Sequence, residues 1–172
     1  MAKILSSVRN TDQALARLAA RVGRHLLDSR RSVATAESCT GGWIGKAMTD
    51  IAGSSDWFTE GFVTYSNESK TRSLGVPRSV LRAQGAVSEA AVRAMARGAL
   101  TRSGAAVSVA VTGIAGPGGA VAGKPVGTVW LGWGERRGRS IRVAVQLRHF
   151  RGDRDSVRRK TVRAALQGLL AR

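Results

Sequence analysis

Ser38 stands where a hydroxyl can do chemistry. A short apolar run, Ser32-Val33-Ala34-Thr35, precedes it, and Cys39-Thr40-Gly41-Gly42 follow and open a segment of helical spacing. A serine at such a strand-to-helix turn is lifted clear of the sheet. The exposed N–H groups after it suit an oxyanion or a phosphate. The same placement also suits a plain helix cap by Ser38 or Thr40. Cys39 is a rival nucleophile, although cysteines at buried strand ends are ordinarily inert. A nucleophilic serine needs a base, and the two histidines serve poorly. His25 falls inside an apolar-faced helix and His149 ends a strand among arginines, so a Ser-His-Asp triad has little support. The remaining candidates are Tyr65, the single tyrosine, and Lys70, five residues on. A desolvated lysine falls in pKa far enough to act as a base, and a hydrogen-bonded tyrosine can relay the proton. On spacing alone both residues read equally well as rim packing and surface charge.

A second polar constellation is the loop Thr112-Gly113-Ile114-Ala115-Gly116-Pro117-Gly118-Gly119, closed by Lys124-Pro125. Its glycines let the backbone approach a ligand, with a hydroxyl from Thr112 and an ammonium from Lys124. It is neither a P-loop nor a dinucleotide fingerprint, because the required spacing is absent.

The elements that must hold these residues alternate. Helical periodicity covers Thr11 to about Ser29, a buried strand covers 32–35, and a helix runs from the Gly41-Gly42 turn to about Ile51. Trp57 to Tyr65 alternates as a strand, and Ser66 caps a short helix carrying Lys70. Pro77 starts another short helix that stops at Gly85. Ser88 caps a strong helix ending at Gly104. Ala105 to Val111 reads as a central strand covered on both faces. Residues 126–133 and 139–150 form a hairpin, and a last helix begins near Gly152-Asp153. This order predicts an α/β fold: a three-layer α/β/α sandwich with a mixed sheet, parallel in the middle and antiparallel at one side. Ligands bind in such sheets where strands end and helices begin, and residues 35–42, 64–70 and 112–119 all fall there.

Composition sets bounds. A chain of 172 residues fits a single domain over 1–172 that needs no disulfide or metal to hold a core. One cysteine excludes an internal disulfide framework. No apolar stretch reaches the length of a membrane span and no leader is evident, so a soluble cytoplasmic protein is expected. The 28 basic residues against 11 acidic ones give +17 and favour a polyanion partner on charge alone. Yet the C-terminal arginines lack interleaved aromatics for stacking bases, and no nucleic-acid motif occurs. The segment 32–71, with Ser38, Tyr65 and Lys70, carries two basic and five acidic residues. Nucleic acid is therefore not expected as a partner, and a non-catalytic nucleic-acid-associated module is the competing class. A magnesium pyrophosphatase would want carboxylate clusters that this chain lacks. Trp57 and Phe58 are expected to be exposed apolar positions suited to a homo-oligomer.

Seven ordered motifs carry a resemblance. Thr35-Ala-Glu-Ser-Cys-Thr-Gly-Gly42, Asp50-Ile-Ala-Gly-Ser-Ser55 and Gly61-Phe-Val-Thr-Tyr-Ser-Asn-Glu68 with Lys70 come first, followed by Gly85-Ala-Val-Ser-Glu89. Thr112-Gly-Ile-Ala-Gly-Pro117 and Lys124-Pro-Val-Gly-Thr-Val129 follow in the same order, and Gly152-Asp-Arg-Asp155 with Val157-Arg158 continues the match in the last helix. Together they closely resemble the CinA C-terminal domain family. The resemblance implies the α/β sandwich and a metal- and cofactor-free hydrolysis. In that reaction the carboxamide of nicotinamide mononucleotide (NMN) becomes nicotinic acid mononucleotide and ammonia. It further implies Ser38 as nucleophile, Tyr65 and Lys70 as its activators, and Thr112 in the polar lining near the carboxamide. N–H groups near Thr40 and Gly41 are expected to hold the oxyanion. Gly42, Gly113, Gly116 and Lys124 complete the expected substrate contacts. The stretch Gly119-Ala-Val-Ala-Gly123 departs from the family, whose members often carry polar or acidic residues there.

Overall fold

Two facts about the central strands decide the layering. In β1 (Val33–Glu37) and β3 (Val107–Gly113) nearly every residue is buried, so both faces of each strand must be covered. Their alternating side chains feed two separate cores. Val33, Val107, Val109 and Val111 join one, and Ala34, Ala36 and Ala110 join the other. The computed structural model describes residues 2–172, with side chains from Asp12 onward.

The first core lies under α1 (Ala2–Asp28), α2 (Trp43–Thr49) and α6 (Arg154–Leu169). The second lies under α3 (Asn67–Leu74), α4 (Arg78–Gln84) and α5 (Glu89–Ser103). Between them runs a five-stranded sheet in the order β2-β1-β3-β4-β5, with β2 at Phe58–Val63, β4 at Thr128–Arg137 and β5 at Ser140–His149. β1 pairs parallel with β2 and β3, while β3–β4 and β4–β5 are antiparallel. The expected α/β/α sandwich with a mixed sheet is the one observed. Its parallel part extends to the β2 edge.

The helix starts expected from capping chemistry also hold. Ser66, Ser88 and Asp153 accept the N–H groups of Ser69, Ala91 and Ser156 at 3.0, 3.2 and 2.8 Å. α1 begins at Ala2 rather than Thr11. Trp57 departs from expectation: it is 2% exposed and belongs to the first core, so it offers no surface for association. Gly23 of α1 makes the room, since a Cβ there would sit 2.7 Å from the Trp57 ring. Phe58 packs against the same core. Among the described residues no helix is long and apolar enough to cross a membrane.

The register aligns the ends of the parallel strands. Glu37 pairs with Val63 on one side and Val111 on the other, so the loops after β1, β2 and β3 leave the same end of the sheet. Glu37 is itself the device that starts α2. Its buried carboxylate accepts the Thr40 hydroxyl at 2.6 Å, the N–H groups of Gly42 and Ile44 at 3.1 and 3.0 Å, and that of Gly45 at 2.8 Å. Neither Ser38 nor Thr40 caps this helix, contrary to the simple capping expectation. The carboxylate reaches the orphan donors from the strand and leaves the Ser38 hydroxyl uncommitted to them. Glu37→Ala strips one hydroxyl and three amides of their acceptor inside the protein. Urea unfolding is expected to show a loss of about 3–5 kcal/mol, and a loss under about 1 kcal/mol would mean that the cap holds nothing.

Candidate active site

Ser38 follows directly on β1, its N–H bonded to Val111 O at 3.1 Å and its side chain half-buried. Lys70 comes from the first turns of α3, where the Ser66 cap fixes the helix start. Its side chain is 1% exposed, and Nζ lies 3.1 Å from Ser38 Oγ. The same nitrogen donates to Thr64 O at 2.8 Å and lies 3.5 Å from Tyr65 O. The amine nitrogen thus donates toward three oxygens, those of Ser38, Thr64 and Tyr65, and loss of one proton would turn a lone pair toward the serine hydroxyl. Burial drives the pKa below the ordinary lysine value of 10.5, because the ammonium loses hydration and no carboxylate restores it. The Thr64 hydroxyl is buried beside this group without a hydrogen-bond partner among the described residues.

Cys39 is not equipped to compete. Its thiol is buried, and desolvation pushes its pKa up to about 12, so the thiolate is absent near neutrality. The histidines lie elsewhere, with the His25 ring on Arg172 O and the His149 ring on the Thr128 hydroxyl.

The Tyr65 phenol lies apart from Ser38 and Lys70 in this structure. The side chain is 60% exposed, and its hydroxyl accepts from Arg154 Nη2 at 2.9 Å. Only its backbone carbonyl reaches Lys70. Of the amides expected to hold an oxyanion, that of Gly41 is spent on Ser38 O at 3.0 Å, and the neighbouring Gly42 amide on Glu37, whereas the Thr40 amide, like that of Cys39, bonds to no described residue.

Thr112 follows the β3 residue that pairs with Glu37, and its hydroxyl donates to Ala86 O at 2.8 Å, tying β3 to the entry of α5. Gly113 ends β3 opposite Val129. Gly116 contributes its carbonyl, which accepts from Arg154 Nη1 at 2.7 Å. Lys124 instead donates to Gln84 O at 2.9 Å and is committed to the end of α4.

Several residues tied into these loops have no role in the sequence reading. Arg154 joins the loops after β2 and β3 through Tyr65 and Gly116, and one helical turn later Arg158 donates to Cys39 O and Thr40 O. The signal was present: two arginines four apart follow a helix cap, so both face one side of α6. Glu37 could also have been found, as a carboxylate in an otherwise uncharged strand just before a helix start. Among the described residues no group of three His, Cys, Asp or Glu side chains is placed to hold a metal ion.

Comparison with known proteins places the chain in a family. The CinA C-terminal domain family matches residues 15–172. The nicotinamide-nucleotide amidohydrolase PncC of Pseudomonas putida is 56% identical over 153 residues, covering 89% of this chain and 93% of that protein. The protein of the same name from Escherichia coli strain K12 is 50% identical over 159 residues, covering 92% and 94%. Among solved structures, the competence damage-inducible protein A from Klebsiella pneumoniae superposes with a TM-score of 0.87 at 38% identity, covering 92% of this chain and 96% of that one. With motifs, fold and relatives in agreement from the first helix to the last residue, the chain belongs to the CinA C-terminal domain family.

Proposed function

We propose that this protein is a nicotinamide-nucleotide amidohydrolase, converting NMN and water to nicotinic acid mononucleotide and ammonia by a serine–lysine mechanism. The observation that carries the reading is the buried, unpaired Lys70 with its nitrogen 3.1 Å from Ser38 Oγ. The names of the PncC relatives supply the substrate. A module that only bound nucleic acid would gain nothing from a desolvated amine held against a hydroxyl.

In this reading neutral Lys70 takes the Ser38 proton while Oγ attacks the carboxamide carbon. The carboxamide oxygen gains negative charge and is met by the free amides of Cys39 and Thr40. Lys70 then returns the proton to the departing nitrogen, ammonia leaves, and Ser38 carries the nicotinyl ester. Water attacks that ester with Lys70 again as base, which frees the carboxylate and restores the hydroxyl. The carbonyls of Thr64 and Tyr65 keep the amine aimed throughout. The Tyr65 phenol and Arg154 stand at the exposed rim, where they suit the anionic phosphate of the nucleotide. The mechanism calls on neither metal nor cofactor.

Ser38→Ala is expected to lower ammonia release from NMN by at least about 10³-fold while leaving the melting temperature near that of the parent. Turnover at the parental rate in that variant would remove Ser38 from the mechanism. The pH dependence has a definite sign. The base is the deprotonated amine, so kcat/KM rises with pH as Lys70 loses its proton, and burial places that limb below 10.5. Stopped assays across pH on the parent and on Lys70→Arg check this. A rising limb that survives in Lys70→Arg belongs to another group.

A further inference from the structure

The peptide units after Ser38 are held from behind. Arg158, on α6, donates from Nε to Cys39 O at 3.2 Å and from Nη2 to Thr40 O at 2.8 Å. Its guanidinium lies over the Trp43 ring, 5.2 Å from the centroid, which fixes the plane of the fork. In a trans peptide the N–H points opposite to the C=O of the same unit, and the cis bond in this protein is at Gly116-Pro117. The Cys39 carbonyl and the Thr40 amide form one such unit. Drawing Cys39 O toward α6 therefore turns the Thr40 N–H to the opposite side. The preceding unit is fixed in a similar way, since Ser38 O accepts from Gly41 N and the Cys39 N–H points away from that bond. The two amides without partners are thus the two whose opposite carbonyls are tied down.

We propose that Arg158 is a positioning residue that sets the direction of the Thr40 amide, and through it the oxyanion site beside Ser38. This rests on Ser38 being the nucleophile, as read above. Arg158 touches neither Ser38 nor, on this assignment, the substrate. Its effect is on the transition state and not on affinity. A lysine keeps the charge but cannot hold two successive carbonyls in one plane over an aromatic ring.

The test reads Ser38 directly in the full-length protein. A small alkyl phosphonofluoridate forms a bond from Ser38 Oγ to phosphorus while fluoride leaves with the P–F electron pair and the hydroxyl proton passes to Lys70. Its phosphoryl oxygen draws on the same donors as a carboxamide oxyanion. Labelling followed by intact-protein mass is expected to slow by about 10- to 100-fold in both Arg158→Gln and Arg158→Lys, assayed well below their melting temperatures. In NMN hydrolysis the same variants are expected to lose kcat with KM held within about two-fold. Millimolar guanidinium should restore part of the labelling rate in Arg158→Ala and none in Ser38→Ala. Labelling of Arg158→Gln at the parental rate overturns the proposal. So does full recovery in Arg158→Lys, which would assign the effect to charge and not to peptide direction; that variant also decides the matter if Arg158→Gln does not fold. A parent labelled at Ser38 that releases no ammonia from NMN sinks the substrate reading alone, and a parent not labelled at Ser38 overturns both.

Discussion

A buried carboxylate with no cation bonded to it among the described residues is the constraint on which the rest of this site turns. Glu37 sits at the end of a central strand, and its charge is met by the Thr40 hydroxyl and the first amides of α2. A group of this kind would cost several kcal/mol if any large part of that hydration were not replaced, so the loop between strand and helix has little freedom. Ser38 lies on that loop. The carboxylate also consumes the amides that a glycine-rich helix start would otherwise offer to a ligand. The remaining free donors are the amides of Cys39 and Thr40, closer to the serine than the glycines that mark the motif.

Lys70 is governed by the opposite rule. It too is a buried ionisable group, but its surroundings are carbonyl and hydroxyl oxygens without a carboxylate, which can satisfy an amine's donors without holding its proton. Every unit of pKa depression reflects about 1.4 kcal/mol of lost preference for the ammonium. Helix amides replace the water that the Glu37 carboxylate loses. Burial takes the water from Lys70 without such a replacement and lowers its pKa. Two buried ionisable groups at one end of the sheet thereby stand in opposite surroundings.

Local periodicity made most of the fold legible. Each helix and strand expected from the sequence exists, because caps such as Ser66, Ser88 and Asp153 and runs such as Ala105 to Val111 act over a few residues. Ser38 and Lys70 could be named for similar reasons, although the contact joining them spans 32 positions and only the parallel register brings it about. What stayed hidden depended on partners far along the chain. Trp57 looks like a surface aromatic until Gly23 of α1 is found beneath it. The Tyr65 phenol looks like a relay until Arg154, 89 residues on, is found holding it outward. Arg158 reaches back 118 residues to Thr40, and nothing in the sequence near either residue announces that link.

The excess of positive charge resolves by the same distinction between charges that touch the site and charges that do not. A groove of about 600 Å³ between α1 and α6 gathers Arg17, Arg21, Arg159, Lys160 and Arg163, and none of the site residues lines it. Arg159 is already paired with Asp12 and Asp155, and at physiological ionic strength screening acts over about 8 Å, so the exposed cations on this flank influence an arriving anion mainly at low salt. Arg154 and Arg158 act differently. They are wired by hydrogen bonds into the loops after β1, β2 and β3, and their position matters more than their charge. An arginine tally of 23 therefore says little about the site, where two arginines are tied into the loops and burial lowers the pKa of one lysine.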